Sequence, residues 1–184
     1  MKMKEQTTKY INEIETLKYS WNYMGAREQI EKSLLKHTDD YRLYEELADI
    51  YLYEGNFKKA ENAMKYAQKL HPESATGTYL MGYIYLSKWD FSLWVELLLK
   101  ANELFPNNAE ILRNLGWWYN MLGQTGKWIM LLKRALNLSP EDKLIMEDLW
   151  VALIWNWDVD LWEFYLKKAG KENKIFELKT LMNL

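Results

Sequence analysis

The side chains that could take part in chemistry are few and far apart in the sequence. The chain has no cysteine, which excludes disulfides, thiol catalysis and cysteine-ligated metal. Its two histidines, His37 and His71, lie in loops between helical patterns, and we interpret both as exposed loop residues. Paired carboxylates such as Asp158 and Asp160 occur in turns, where aspartate is expected as a helix cap. No glycine-rich phosphate loop or metal-ligand spacing is present, so the sequence predicts neither an enzyme nor a cofactor or metal site.

Amphipathic helices must position these residues, and their pattern recurs along the chain. Between residues 109 and 140, one apolar face precedes a short turn containing Gly123 and a second apolar face follows it. The same pattern returns at a step of 34 residues. Equivalent positions hold the only three prolines, three of the tyrosines and four of the alanines: Pro72, Pro106 and Pro140; Tyr51, Tyr85 and Tyr119; Ala67, Ala101, Ala135 and Ala169.

A helix–turn–helix period of 34 residues resembles the tetratricopeptide repeat family. The resemblance implies an all-α fold, a right-handed superhelical solenoid of about five repeats with a C-terminal capping helix. We expect one solenoid domain over residues 1–184. Its repeats would cover about residues 5–38, 41–74, 75–108, 109–142 and 143–173, and the cap residues 175–184.

The overall charge and hydropathy give no sign of an unusual partner. A formal net charge of -2 offers no global reason to expect nucleic acid or an anionic membrane. The opening residues are charged and lack the apolar core of a signal peptide. The longest apolar run, Leu149 to Trp155, is too short to span a bilayer. We therefore expect a cytoplasmic protein with a protein or peptide partner and with no nucleic-acid or membrane partner.

The family resemblance also implies a peptide-binding groove lined by the first helix of each repeat. Glu45 and Asp49 stand where family members that bind chaperone tails begin their carboxylate clamp, which argues against that function. A cluster of aromatic residues could instead hold an apolar or proline-rich segment. The predicted groove comprises Tyr53, Tyr79, Tyr83, Arg113, Trp117 and Asn120.

The tryptophans depart most from the family pattern. There are ten, and nine lie between Trp89 and Trp162. Trp94, Trp128 and Trp162 occupy a position where the family favours alanine, and overpacking such a site costs about 1–3 kcal/mol. Gly82 and Gly116 would face the first two of these rings, but Trp150 would face Trp162. We expect at least one ring of that last pair to leave the gap, and Trp162→Ala to leave thermal stability unchanged or raised.

Outer helix faces that are charged in the second repeat become apolar in repeats three to five. Exposed contiguous apolar patches mark interfaces, so we predict an interaction scaffold, resembling an engineered repeat protein, that self-associates as a homo-oligomer (a dimer is favoured) or docks a designed partner. Two alternatives stay open: a small-molecule binder with a pocket lined by Trp128, Trp150 and Trp162, and a natural peptide-binding adaptor. The predicted interface comprises Leu93, Trp94, Leu97, Leu99, Trp128, Met130, Trp150, Trp155, Trp157, Leu161, Trp162 and Phe164.

Overall fold

The computed structural model describes the backbone of residues 2–182 and the side chains of residues 7–180. Across residues 2–182 there are eleven α-helices and no strand, so the predicted all-α fold with five helix–turn–helix repeats is confirmed. The helices are α1 Lys2–Tyr19, α2 Tyr23–Leu34, α3 Tyr41–Tyr53, α4 Phe57–Leu70, α5 Ala75–Ser87, α6 Phe91–Leu104, α7 Ala109–Met121, α8 Thr125–Leu138, α9 Lys143–Trp155, α10 Val159–Lys168 and α11 Asn173–Met182.

Short polar side chains start most of these helices. Each accepts a hydrogen bond from a backbone N–H of the first turn, which would otherwise have no partner. At α9, for example, the Asp142 carboxylate accepts from the N–H groups of Leu144 and Ile145. The same type of cap is formed by Asn22, Asp40, Asn56, Ser74 and Asn108.

The turn between the two helices of a repeat has the same geometry each time. One residue with positive φ follows the first helix, and the N–H of the next residue donates back to a carbonyl five positions earlier. In the second repeat, Gly55 has φ 72° and the Asn56 N–H donates to the Tyr51 carbonyl at 2.7 Å. This turn reverses the chain within about three residues and makes the two helices antiparallel neighbours.

The chain divides into two compact units, residues up to Leu104 and residues from Phe105. In the first unit, α1 to α6 form three helix pairs, and α3 contacts both α1 and α5. One core cluster contains Ile14, Ala26, Ile30, Leu43 and Ile50, all fully buried. The second repeat is conventional, because the small side chains Ala48 and Ala60 are both fully buried.

The second unit pairs α7 with α8 and α9 with α10, and α11 follows against α10. Its core contains Leu112, Leu132 and Leu149. The predicted capping role of α11 needs correction at Phe176, whose side chain is almost fully exposed rather than packed on the last repeat. Two further residues predicted for the cap, Leu181 and Met182, have side chains outside the described residues.

Candidate interaction surfaces

Three of the tryptophans predicted for an exposed surface lie instead in the core. Trp94, Trp128 and Trp162 are at most 2% exposed. The reason is the space opposite the first two rings. A Cβ built on Gly82 would lie 3.5 Å from Cδ1 of Trp94, and one built on Gly116 only 3.0 Å from Cδ1 of Trp128. Each glycine thus leaves room for an indole, and these three residues cannot belong to a partner-binding surface.

In the fifth repeat, only one of the two facing indoles, Trp150 and Trp162, is fully buried. Trp162 is fully enclosed, whereas Trp150 remains partly exposed although its Nε1 is buried. The indole N–H groups of Trp128, Trp150 and Trp162 have no hydrogen-bond acceptor. The burial of Trp162 contradicts the premise that Trp162→Ala would leave thermal stability unchanged or raised, and we now expect the substitution to destabilise the chain by emptying a fully packed site.

The predicted outer apolar surface divides into buried and exposed members. Leu93, Leu97 and Leu161 are half-buried. Leu99 of α6, Met130 of α8 and Phe164 of α10 are exposed. Nothing in the structure shows a partner on these residues, so their role in an interface stays a prediction.

The predicted groove of the first unit is largely closed. Tyr79 is buried, which removes it from the groove, and Tyr83 is half-buried and packs edge-on to it with ring centroids 5.1 Å apart. Tyr53 is exposed, but its ring stacks on Tyr23 at 3.8 Å. Aromatic residues at the groove positions of this unit thus serve mainly as packing.

Glu45 is also missing from the groove, because the first turn of α5 covers it. The side chain is only 5% exposed, and its Oε1 has no hydrogen-bond partner. A Cβ on Gly77 would lie 2.6 Å from that oxygen, so this glycine provides the space for the carboxyl. Burial raises the pKa of Glu45 to about 7, partly offset by a hydrogen bond from Ser74 and reinforced by the charge of Glu46.

Beside Glu45, an ion cluster joins the first two repeats. The ammonium of Lys18 on α1 contacts the carboxylates of Glu46, at 2.8 Å, and Asp49 on α3. Burial alone would lower the pKa of Lys18, but these two carboxylates outweigh that effect and raise it. Asp49 is thus already paired and is not free to select a charged ligand.

The second unit presents a different surface on α7 and α9. These helices are joined by an ion pair in which Nε of Arg113 lies 2.5 Å from Oδ2 of Asp148. Trp117 of α7 is about half exposed, and Asn120, one turn further along the helix, is half-buried. Four large apolar side chains are exposed on the two helices, and we call them the α7/α9 face: Trp117, Met121, Leu144 and Trp155.

Three tryptophans stand in the turns, and only Trp157 among them was part of the interface predicted from the sequence. Trp21, Trp89 and Trp157 have φ of 62°, 61° and 57°, a left-handed conformation that costs an L-residue about 1–2 kcal/mol. They are 73%, 80% and 67% exposed. The equivalent residues of repeats two and four are Gly55 and Gly123. The 34-residue register of these five turn positions was the signal that could have revealed them.

The two histidines have aromatic neighbours. His37 is buried, contrary to prediction, and its ring lies 5.8 Å from that of Tyr10. His71 is exposed and stacks on Tyr41 at 4.3 Å. The described residues contain no group of three potential metal ligands. None of the helices described is long and apolar enough to cross a membrane.

Comparisons with known proteins give one family match and several similar folds. Residues 41–74 match the model of the tetratricopeptide repeat, which is the repeat that the structure shows to be conventional. No curated protein is similar enough in sequence to match.

Three solved structures illustrate the similarity of fold. A thermophilic tetratricopeptide repeat protein of Thermus thermophilus is 19% identical with a TM-score of 0.73, over 94% of this chain and 95% of that one. For PilF of Pseudomonas aeruginosa the identity is 16% and the TM-score 0.71, over 94% and 78% of the two chains. For MamA of Desulfovibrio magneticus RS-1 the identity is 17% and the TM-score 0.59, over 91% of this chain and 94% of that one. Residues 41–74 are therefore a tetratricopeptide repeat, and the chain as a whole has the fold of tetratricopeptide repeat proteins.

Proposed function

We propose that the chain is a non-catalytic protein-interaction scaffold whose second unit binds an apolar segment of another protein on the α7/α9 face. The observation that carries this proposal is the exposure of Trp117, Met121, Leu144 and Trp155 on two helices joined by an ion pair. The proteins whose fold it shares are generally interaction modules, which supports the same class of function.

The exposed side chains of the α7/α9 face are not needed to hold the unit together. The opposite sides of these helices already bury Ile111, Leu112 and Leu115 on α7 and Met146 and Leu149 on α9. Two of the exposed residues are tryptophans, which together with tyrosine and arginine dominate the binding energy of interfaces. A partner that covers them gains the burial of large rings without disturbing the core.

The residues around the face favour an apolar partner segment over a charged one. Arg113 and Asp148 neutralise each other at the junction of the two helices. Glu147 of α9 is also paired, with the ammonium of Lys171. Since these two pairs already satisfy their own charges, we expect affinity to come mainly from apolar burial, with the charged pairs forming a polar rim.

The experiment uses a displayed library of random peptides selected against the full chain. We expect the selected peptides to share apolar anchors and to lose at least about 30-fold in affinity on Trp117→Ala or Trp155→Ala, the loss typical of a central interface residue. Phe164→Ala, which removes an equally exposed ring on α10, is the control. Peptides that bind equally well to all three variants would contradict the proposal.

A second candidate is self-association through the outer helices, favoured by the exposure of Leu99, Met130 and Phe164. Light scattering would then show an oligomer that Phe164→Lys dissociates without loss of helicity. The alternative of a tryptophan-lined small-molecule pocket has less support, because Trp128 and Trp162 are fully packed. An engineered origin also remains a proposal, supported by tryptophan at the same core position in three successive repeats.

A further inference from the structure

The turns of the first unit form a row in which protruding rings alternate with empty positions. Because α1, α3 and α5 are successive neighbours and each is followed by an antiparallel partner, the three turns lie on the same edge of the unit. Trp21 and Trp89 project from the first and third turns. Gly55 occupies the second, and a Cβ built there would meet no atom within 4 Å.

The tryptophans of this row lower the stability of the isolated chain. Each adopts positive φ in a turn that Gly55 forms without strain. Each also exposes most of a large apolar ring to water. Within the monomer each ring makes only edge-on contacts, Trp21 with Tyr53 and Trp89 with Phe91, and most of its surface stays in water. Residues held in sparsely populated backbone conformations cluster at functional sites. The two turn tryptophans are therefore candidates for a contact with a partner.

We propose that the turn edge of the first unit docks against the same edge of a second copy of this chain. In a two-fold, antiparallel arrangement, Trp89 of each copy fills the gap above Gly55 of its partner. The edge is self-complementary in this register, because a ring and a gap occur in adjacent repeats and a two-fold axis exchanges them. This surface is separate from the α7/α9 face and requires no other partner.

Exposed aromatic rings close to Gly55 in the chain suit an incoming indole. Tyr53, two residues before Gly55, is exposed, and the ring of Trp21 lies edge-on to it with centroids 6.1 Å apart. Tyr23 contacts both rings, 3.8 Å from Tyr53 and 6.3 Å from Trp21, so the three form one aromatic cluster in which Trp21 and Tyr53 are exposed. An indole of a second copy that packs on the exposed rings makes edge-to-face contacts of the kind that aromatic rings prefer.

The charges of the edge also fit a second copy. In the proposed register the second turn of one copy meets the third turn of the other, and charges already paired within each copy do not oppose this contact. Lys18 is neutralised by Glu46 and Asp49, Lys88 by Glu61 at 2.8 Å, and Glu54 by Arg27 at 2.9 Å. Asp90, which follows Trp89, accepts the Leu93 N–H at 3.1 Å as the cap of α6.

The area available sets the strength of this dimer. Each large aromatic ring buries about 150–250 Å², so Trp89, Trp21 and Tyr53 supply less than the roughly 800 Å² per partner of a standard interface. We therefore expect a weak dimer, visible by sedimentation velocity only when the concentration is varied over roughly 5–500 µM. The weight-average mass should rise from that of the 22.2 kDa chain toward twice that value.

Three variants test the register of ring and gap. Trp89→Gly removes both rings from the two-fold contact, and Gly55→Trp fills both gaps, so each variant alone should dimerise at least about 30-fold more weakly. Mixed in equal amounts, the two should associate again, because each contact then pairs one tryptophan with one glycine. Gly55→Ala carries the positive-φ strain without a ring, and it should still dimerise.

The outcomes separate this proposal from its alternatives. Both single variants should keep the wild-type helicity by circular dichroism, since tryptophan and glycine each occur at this turn position. A wild-type chain that stays monomeric, a mixture that does not associate, or a dimer abolished by Phe164→Lys but not by Trp89→Gly would each overturn the proposal. Peptide binding on the α7/α9 face is unaffected by these turn variants, so the two proposals fail independently.

Discussion

Substitution of Glu45 by glutamine should remove a pH-dependent instability from the first unit. The carboxyl of Glu45 is buried under the first turn of α5, and its pKa is raised from the ordinary 4.5 to about 7. A carboxyl whose pKa is higher in the folded state binds its proton more tightly there. It therefore contributes stability that is fully present below pH 4.5 and is lost as the pH rises through 7.

The size of the effect follows from the two pKa values. Each unit of pKa difference is worth about 1.4 kcal/mol, so ionisation of Glu45 costs the folded state about 3 kcal/mol at pH 8. Glu45→Gln keeps the shape of the protonated side chain and cannot ionise. The variant should be close to wild type at pH 5 and more stable by up to about 3 kcal/mol at pH 8.

Urea unfolding followed by circular dichroism at pH 5 and pH 8 measures this difference. Amide exchange in α5 adds a local readout, because the units of a repeat protein need not unfold together. The matched control is Glu73→Gln, a substitution of an exposed residue in the loop before α5. The reasoning is wrong if the difference in unfolding free energy between Glu45→Gln and wild type is the same at the two pH values. It is also wrong if carbon-detected NMR gives Glu45 a pKa near its ordinary 4.5.

Four further predictions concern the tryptophans and the glycines opposite two of them, all measured as changes in the free energy of unfolding in urea. Gly82→Ala should be neutral or stabilising by up to about 1 kcal/mol, because its new methyl is at an ordinary contact distance of 3.5 Å and alanine favours the helix. Gly116→Ala should instead cost roughly 1–3 kcal/mol, because its methyl would lie 3.0 Å from a buried ring. Trp162→Ala should cost roughly 3–5 kcal/mol by emptying a fully packed site. Trp157→Gly should stabilise the chain by about 1 kcal/mol, since it relieves positive φ at an exposed residue.

Each of these predictions has a result that contradicts it. Equal effects of Gly82→Ala and Gly116→Ala would mean that the two gaps do not differ. A Trp162→Ala protein with wild-type stability would show that this side chain does not contribute to the packing of the core. A destabilised Trp157→Gly protein would show that the exposed ring packs on its neighbours more than its exposure indicates.

The sequence alone determined the repeat architecture. Periodic apolar residues, the 34-residue register of proline, alanine and tyrosine, and a glycine or polar residue at each turn are local or repeated signals, and they suffice to place the helices. The buried residues of α2, Ala26, Ile30 and Ser33, recur at the spacing of one helix face. The conventional packing of the second repeat was predictable for the same reason.

Tertiary structure decided which side chains are free to bind. Register places Trp94 and Trp128 in a gap between helices, but only the backbone spacing at Gly82 and Gly116 determines that the rings fit inside it. Glu45 occupies a groove position, yet α5, about thirty residues further along the chain, covers it. Such contacts depend on distances between helices that are remote in sequence, and no local pattern encodes those distances.

The turn tryptophans show most clearly the difference between what the sequence determines and what tertiary structure decides. Their 34-residue register was present in the sequence, but a left-handed conformation is rare for a residue other than glycine, so local preference argues against it. Packing of α1 against α2 and of α5 against α6 fixes the length of each turn and requires positive φ at its second residue, whatever side chain stands there. The repeat imposes this conformation on Trp21 and Trp89, and it leaves their rings in solvent.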